Sequence, residues 1–109
     1  MEPNSMYVVI FRAQVRALDA QYQQMAARMR ELALNEFGCL AFHAVSEGDQ
    51  EVALSYWPSE QAILAWKSHP EHGLAQAAGR ARWYRGYSVE VAEVCRHYQH
   101  RSADEEAGQ

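Results

Sequence analysis

Lysine is almost missing from this chain: Lys67 is the single one, and arginine supplies the rest of its ten cations. Fourteen acidic residues leave a net charge of −4. Nucleic acids and anionic membranes bind through a basic footprint, so neither is expected as a partner. Cysteine is scarce as well. Cys39 and Cys95 show no Cys-x-x-Cys spacing, and no thiolate metal site follows from them. Both fall in apolar runs and read as small buried hydrophobes of a reducing, cytoplasmic compartment. No apolar run approaches the ~20 residues that a membrane-spanning helix needs. The opening residues, Met1 to Ser5, lack a basic stretch followed by an apolar core, so no signal peptide is expected. Internal repeats and low-complexity stretches are absent too.

What is present is globular composition. With 49% hydrophobic and 22% charged residues over 109 positions, the chain suits one packed domain. A domain this small buries a modest share of its surface, and pairing with a second copy would help it. Met6–Ala13 is apolar on both faces, which predicts a strand covered on both sides. Leu18–Ala33 predicts a helix, because Leu18, Tyr22, Met25, Met29 and Leu32 recur at helical spacing and form one apolar stripe. Gly38 breaks that pattern. Cys39–Glu47 and Glu51–Trp57 predict two strands joined by a polar turn, a hairpin. Ser59, followed by Glu60, is an N-cap signal for a helix carrying Ala62, Ile63 and Trp66. Pro70 cannot continue that helix but suits the first position of a new one. A break is therefore expected near Ser68 and His69, with a second helical piece to about Arg80. Tyr84–Arg96 predicts the last strand, with a bulge suggested by the opposite parities of Glu90 and Glu93. Residues 1–5 read as a flexible start and 99–109 as a solvated tail, leaving 6–98 as the domain.

The resulting β-α-β-β-α-β order, with its second helical element broken, predicts an α+β, ferredoxin-like domain with a four-stranded antiparallel sheet. Helices cover one face of such a sheet. The other face would present residues such as Phe42, Tyr56 or Trp57, depending on register. An apolar patch of that size predicts a homodimer joined sheet to sheet.

The stretch from Tyr56 to Tyr98 adds a family likeness. Trp57-Pro-Ser-Glu60, Ala62 to Trp66, His69-Pro-Glu-His72, Gly79-Arg80, Trp83-Tyr84 and Tyr87, together with the first strand and the Gly38-Cys-Leu segment, resemble the antibiotic biosynthesis monooxygenase family of the dimeric α+β barrel superfamily. The likeness spans roughly residues 6–98. It implies a homodimer with a pocket between helices and sheet in each subunit. It also implies O₂ chemistry on an aromatic phenol or hydroquinone without metal, flavin or haem, as in the quinone-forming members. In that chemistry a phenol is deprotonated, the anion passes an electron to O₂, the radicals combine, and the peroxide collapses to a quinone. Such a site needs an aromatic pocket, a base or acceptor, and donors for the developing oxyanion.

For those parts the sequence offers His72 as base or hydrogen-bond partner, Trp66 as stacking wall and Arg80 as anion stabiliser. His69, His43, Gln76, Trp83 and Tyr84 are candidates for substrate binding. Each has a plain structural alternative. Trp66 suits a core position, His69 and His72 a solvated or capping role beside Pro70, and His43 a solvent-facing strand position. Arg80 and Arg82 would offset a helix dipole, and Trp83, Tyr84 and Tyr87 would serve core or dimer contacts. His69, His72 and Gln76 share one face if their segment is helical. Two histidines with no third ligand at a telling spacing do not make a metal site. Two other functions stay open. One is a non-catalytic dimer that binds a small aromatic ligand. The other is a haem-degrading monooxygenase, in which Trp66 would match that group's tryptophan and His72 would have to ligate the iron. Against the latter, the first strand lacks the expected asparagine, and Gln76 stands near the expected axial position.

Overall fold

The computed structural model describes residues 5–102. In chain order the elements are β1 (Tyr7–Val15), α1 (Ala20–Glu36), β2 (Ala41–Glu47), β3 (Gln50–Trp57), α2 (Glu60–Lys67), α3 (Pro70–Ala78), a π-helical turn (Gly79–Trp83) and β4 (Tyr84–Glu93). The strands form one antiparallel sheet in the order β2-β3-β1-β4, the ferredoxin-like arrangement expected. Residues 1–4 and 103–109, which carry most of the expected flexible start and tail, lie outside the described residues.

Local chemistry explains the boundaries. Asp19 caps α1, its side chain accepting from the Tyr22 amide at 2.8 Å, so Leu18 falls outside the helix and is 40% exposed. The apolar stripe therefore closes with Ala33, which is buried beside Met29 and Leu32. Gly38, at φ +80°, turns the chain so that the Cys39 amide reaches the Ala33 carbonyl at 2.9 Å. The β2–β3 hairpin closes over Gly48 and Asp49. Among the described residues only glycines have positive φ, so Gly48 at +59° with Asp49 makes the type II′ pattern that suits strand twist. Ser59 caps α2 as expected, accepting from the Ala62 amide at 3.1 Å. His69 is extended before Pro70, as a pre-proline residue must be, and α3 starts at Pro70.

Register assigns the faces. Val9 pairs with Ser55 and Val91, and Ser55 pairs with Phe42, so these positions share the helix-covered face. Trp57, fully buried, and Phe42 lie on that face too, not on the open one. The open face carries Val8, Ile10, Val52, Leu54 and Tyr56. Of the residues expected there, only Tyr56 is. β4 runs unbroken through Glu90 and ends at Glu93, short of Arg96. Its bulge lies at the other end, where Gln14 pairs with Gly86 but Val15 pairs with Tyr84, leaving Arg85 as the extra residue. Cys39 is buried, which pushes its thiol pKa up, but it precedes β2; Cys95 lies past β4 and is exposed, contrary to expectation.

Leu32 is completely buried under α1 against Val9, Trp57 and Ile63 of the same core. Leu32→Ala should lower unfolding stability by about 2–5 kcal/mol in urea titration; a loss below about 1 kcal/mol would mean this core is not close-packed.

Candidate functional site

A cavity of about 420 Å³ opens between the sheet and the helices. Three elements aim side chains into it at the spacing their geometry dictates. From α1 come Tyr22, Met25, Ala26 and Met29; from α3 come His72, Ala75 and Gln76, continued by Gly79. Alternate residues of β3, namely Glu51, Ala53 and Ser55, form the floor. Phe11, Phe42, Trp66, Trp83 and Tyr84 make the lining strongly aromatic.

Trp66 is 7% exposed and stands at one end. Its ring packs on Trp57 at 5.1 Å and edge-on to His72 at 4.5 Å, and its Nε1 donates to the Met29 carbonyl at 3.2 Å. The other indoles are satisfied as well. Trp57 Nε1 donates to Ser55 Oγ at 2.8 Å, and Trp83 Nε1 to Asp19 Oδ1 at 3.2 Å. His72 is half-buried, and its buried Nδ1 has no hydrogen-bond partner among the described residues. Burial first, then the nearby Lys67 charge, lowers its pKa below the ordinary imidazole value. A neutral, incompletely paired imidazole in an aromatic pocket can accept or donate a proton near neutral pH.

A second polar group faces the cavity at Glu51, which is buried. The Tyr22 hydroxyl donates to it at 2.5 Å, and the Tyr84 hydroxyl lies 3.5 Å away. Burial pushes the Tyr84 phenol up to about 12, with the Glu51 charge adding to it. The Tyr22 phenol is raised as well, by burial and by its bond to Glu51. Tyr84 fits because residue 79 is glycine: a Cβ there would meet the Tyr84 ring at 3.0 Å.

The sequence candidates divide clearly. Trp66, His72, Gln76, Trp83 and Tyr84 come together on the cavity wall. Arg80 does not: it is exposed, off the lining, with its Nη1 donating to the Tyr87 hydroxyl at 3.4 Å. Its position around the helix, about 80° from His72, places it at the edge of the inner face. His69 is the cap of α3, its Nδ1 accepting from the Glu71 amide at 3.1 Å, and it stands off the lining. His43 pairs with Leu54 on the open face of the sheet, away from the cavity. The cations that do line the cavity are Lys67 and Arg30. Glu51, Tyr22, Ser55 and these two cations were missed by sequence reasoning. Strict alternation from Trp57 back to Glu51 was the available signal, since both share one parity. Among the described residues no three of His, Cys, Asp or Glu converge on a metal-holding position. No described helix is long and apolar enough to cross a membrane.

A family model described as antibiotic biosynthesis monooxygenase matches residues 6–78. The uncharacterised protein YqjZ of Bacillus subtilis is 41% identical over 91 residues, spanning 83% of this chain and 80% of its own length. Among solved structures, Rv0793 of Mycobacterium tuberculosis superposes with a TM-score of 0.74 at 18% identity, over 86% of this chain and 99% of that one. SnoaB of Streptomyces nogalater, described as a cofactor-independent oxygenase, superposes with a TM-score of 0.71 at 16% identity, over 84% of this chain and 95% of that one. At such identities the structural likeness speaks to the fold.

The lowered pKa of His72 has a stability consequence. Its contribution is complete above the ordinary value of 6.5 and is lost as pH falls through the lowered folded value, because the unfolded chain takes up the proton first. His72→Gln should therefore lose less stability than the parent protein between about pH 7 and about pH 5 in urea titrations. Equal losses would place the acid sensitivity elsewhere.

Proposed function

The chain belongs to the antibiotic biosynthesis monooxygenase family, and on that footing we propose that it is a cofactor-independent monooxygenase converting an aromatic phenol or hydroquinone to a quinone with O₂. The observation that carries the reading is His72: a neutral imidazole whose buried Nδ1 has no hydrogen-bond partner among the described residues, in contact with Trp66, in a cavity lined mainly by aromatic and apolar side chains. The likeness of the fold to SnoaB, described as a cofactor-independent oxygenase, supports it.

In this mechanism Trp66, Phe42 and Phe11 hold a planar ring system between helices and sheet. His72 takes the phenol proton, and the resulting phenolate is electron-rich enough to reduce O₂ by one electron. Radical recombination forms a carbon–oxygen bond. The peroxide takes back the proton held on His72, and loss of the ring proton from the newly oxygenated carbon then breaks the O–O bond, leaving one oxygen in the quinone and expelling the other as hydroxide, which that ring proton converts to water. The developing negative charge needs donors. Lys67 supplies a half-buried cation beside His72, in the role the sequence suggested for Arg80. The Ser55 hydroxyl accepts from Trp57 and so directs its own proton to another acceptor.

The quaternary part of the proposal is a homodimer. The open sheet face carries a contiguous apolar patch of Val8, Ile10, Val52, Leu54 and Tyr56, bordered by the Arg12–Glu90 ion pair, that a second copy would cover by twofold symmetry. Light scattering at micromolar concentration should give the mass of a dimer, and Leu54→Arg should give a monomer. A monomeric parent protein would refute the pairing.

For the chemistry, an oxygen electrode should register O₂ uptake with at least one member of a panel of fused-ring phenols and hydroquinones. His72→Ala should then reduce kcat by about a hundredfold or more while ligand binding persists. Binding without O₂ uptake across the panel would instead make the protein a ligand-binding module.

A further inference from the structure

The mechanism above leaves the Glu51 cluster unused. Glu51 is 7% exposed and faces the cavity, yet the ion pairs among the described residues involve other carboxylates. Its neighbours are phenols, Tyr22 on Oε1 and Tyr84 near Oε2. An ionised carboxyl offers about four acceptor positions, so two phenols leave some of them open. Burying such a group is unfavourable until those positions are filled by donors. The site is also built from several elements at once: Tyr22 from α1, Glu51 from β3, and Tyr84 from the start of β4 seated against Gly79.

Its position in the cavity gives it meaning. Glu51 and Ser55 line the same floor, separated by about 13 Å of strand at ~3.3 Å per residue. The Ser55 end is where Phe42 and Trp57 meet Trp66, which in turn meets His72, with Lys67 nearby. One end of the cavity thus carries a cation beside the base, and the other carries a carboxylate.

We infer that Glu51, with Tyr22 and Tyr84, is a second substrate anchor, which accepts a hydrogen bond from a hydroxyl or amine on the end of the substrate remote from His72 and rejects an anionic group there. The inference rests on the reading of this cavity as the substrate site. It narrows the substrate class to fused-ring phenols that carry a hydrogen-bond donor, and no carboxylate, at their far end. Discrimination comes from both sides: the donor completes the Glu51 carboxylate, whereas a carboxylate would face a like charge in a buried place.

The test uses two probes with a shared hydroxyanthracene core. One bears a hydroxymethyl group on its far ring and the other a carboxylate at the same position. Binding is read by tryptophan fluorescence quenching near neutral pH without O₂, so that turnover plays no part. The hydroxymethyl probe should bind about tenfold or more tightly than the carboxylate probe. Glu51→Gln should bring the two within about twofold, chiefly by improving carboxylate binding. Equal binding of both probes by the parent protein, or a preference unchanged in Glu51→Gln, would overturn the inference while leaving the cavity as the substrate site. Failure of both probes to bind the parent protein would overturn the cavity reading and the anchor with it. Should Glu51→Gln not fold, Tyr84→Phe keeps the charge and removes a neighbour. Its preference should persist or widen, and a narrowed one would count against the anchor.

Discussion

The Trp66 indole occupies the point where three elements meet, and the shape of the cavity depends on it. One ring touches Trp57 of β3 and His72 of α3, and its Nε1 reaches the Met29 carbonyl of α1. The helix that carries it, α2, is eight residues long, too short to hold itself together in water. Its place is set by the burial of Ile63 and Trp66 and by the Ser59 cap. A ring of that size between helix and strand keeps the two layers apart. Beyond it the facing positions are small: Ala26, Ala44, Ala53 and Ala75. Large rings at both ends, Trp66 and Phe42 at one and Tyr22, Trp83 and Tyr84 at the other, with small residues between them, cannot close on themselves, and the unfilled space is the cavity. Trp66 is therefore at once a core residue and part of the cavity lining.

The break at Pro70 decides what that space contains. Had α2 continued, His72 would follow the α2 axis. The extended His69 residue ends one helix, its imidazole caps the next, and α3 sets off in a new direction with His72, Ala75, Gln76 and Gly79 along its inner face. Arg28 fixes α3 from outside, its guanidinium shared between Glu31 of its own helix and Glu71 of α3. The Glu71 carboxyl is held below the usual carboxylate range chiefly by that bond. Both ends of this bond are solvent-exposed, so it orients α3 more than it stabilises it.

Most of the fold was legible because it is written in local signals. Ser59, Pro70 and the Gly48 turn act within a few residues of themselves, and each element they punctuate stands where the sequence placed it. The parts that were not legible are those set by register and by position around a helix. Parity along β2 follows from its pairing with β3, so Phe42 turns in and His43 turns out, and neither direction is visible in Cys39–Glu47 alone. At about 100° per residue Arg80 stands about 80° round from His72, at the edge of the inner face made by residues 72, 75, 76 and 79, and its guanidinium reaches the Tyr87 hydroxyl instead of the cavity. Glu51 was hidden for a different reason. A lone acid after a turn reads as solvated, and only the tertiary approach of Tyr22 and Tyr84 makes it a buried group.

The bulge at Arg85 shows how a single inserted residue makes the site. Tyr84 and Tyr87 are three apart, an odd interval, and a regular strand would send them to opposite faces. Because Val15 pairs with Tyr84 while Ala13 pairs with Tyr87, both point toward the helices. Phe11 then meets Tyr84 at 5.5 Å and Tyr87 at 5.6 Å, closing the aromatic wall on the β4 side. Without the extra residue, Tyr84 would lie on the open face and Glu51 would lose one of its two phenols. The same open face is the one proposed to meet a second copy, and a misplaced tyrosine would disturb that surface as well. Register thus ties the two surfaces of one sheet together: the alternation that places Val8, Ile10, Val52 and Leu54 on the open face places Val9, Phe11, Ala53 and Ser55 on the cavity lining. A slip of one residue would exchange the two sets, so fixing the register of β1 is what keeps the cavity lining and the open face distinct.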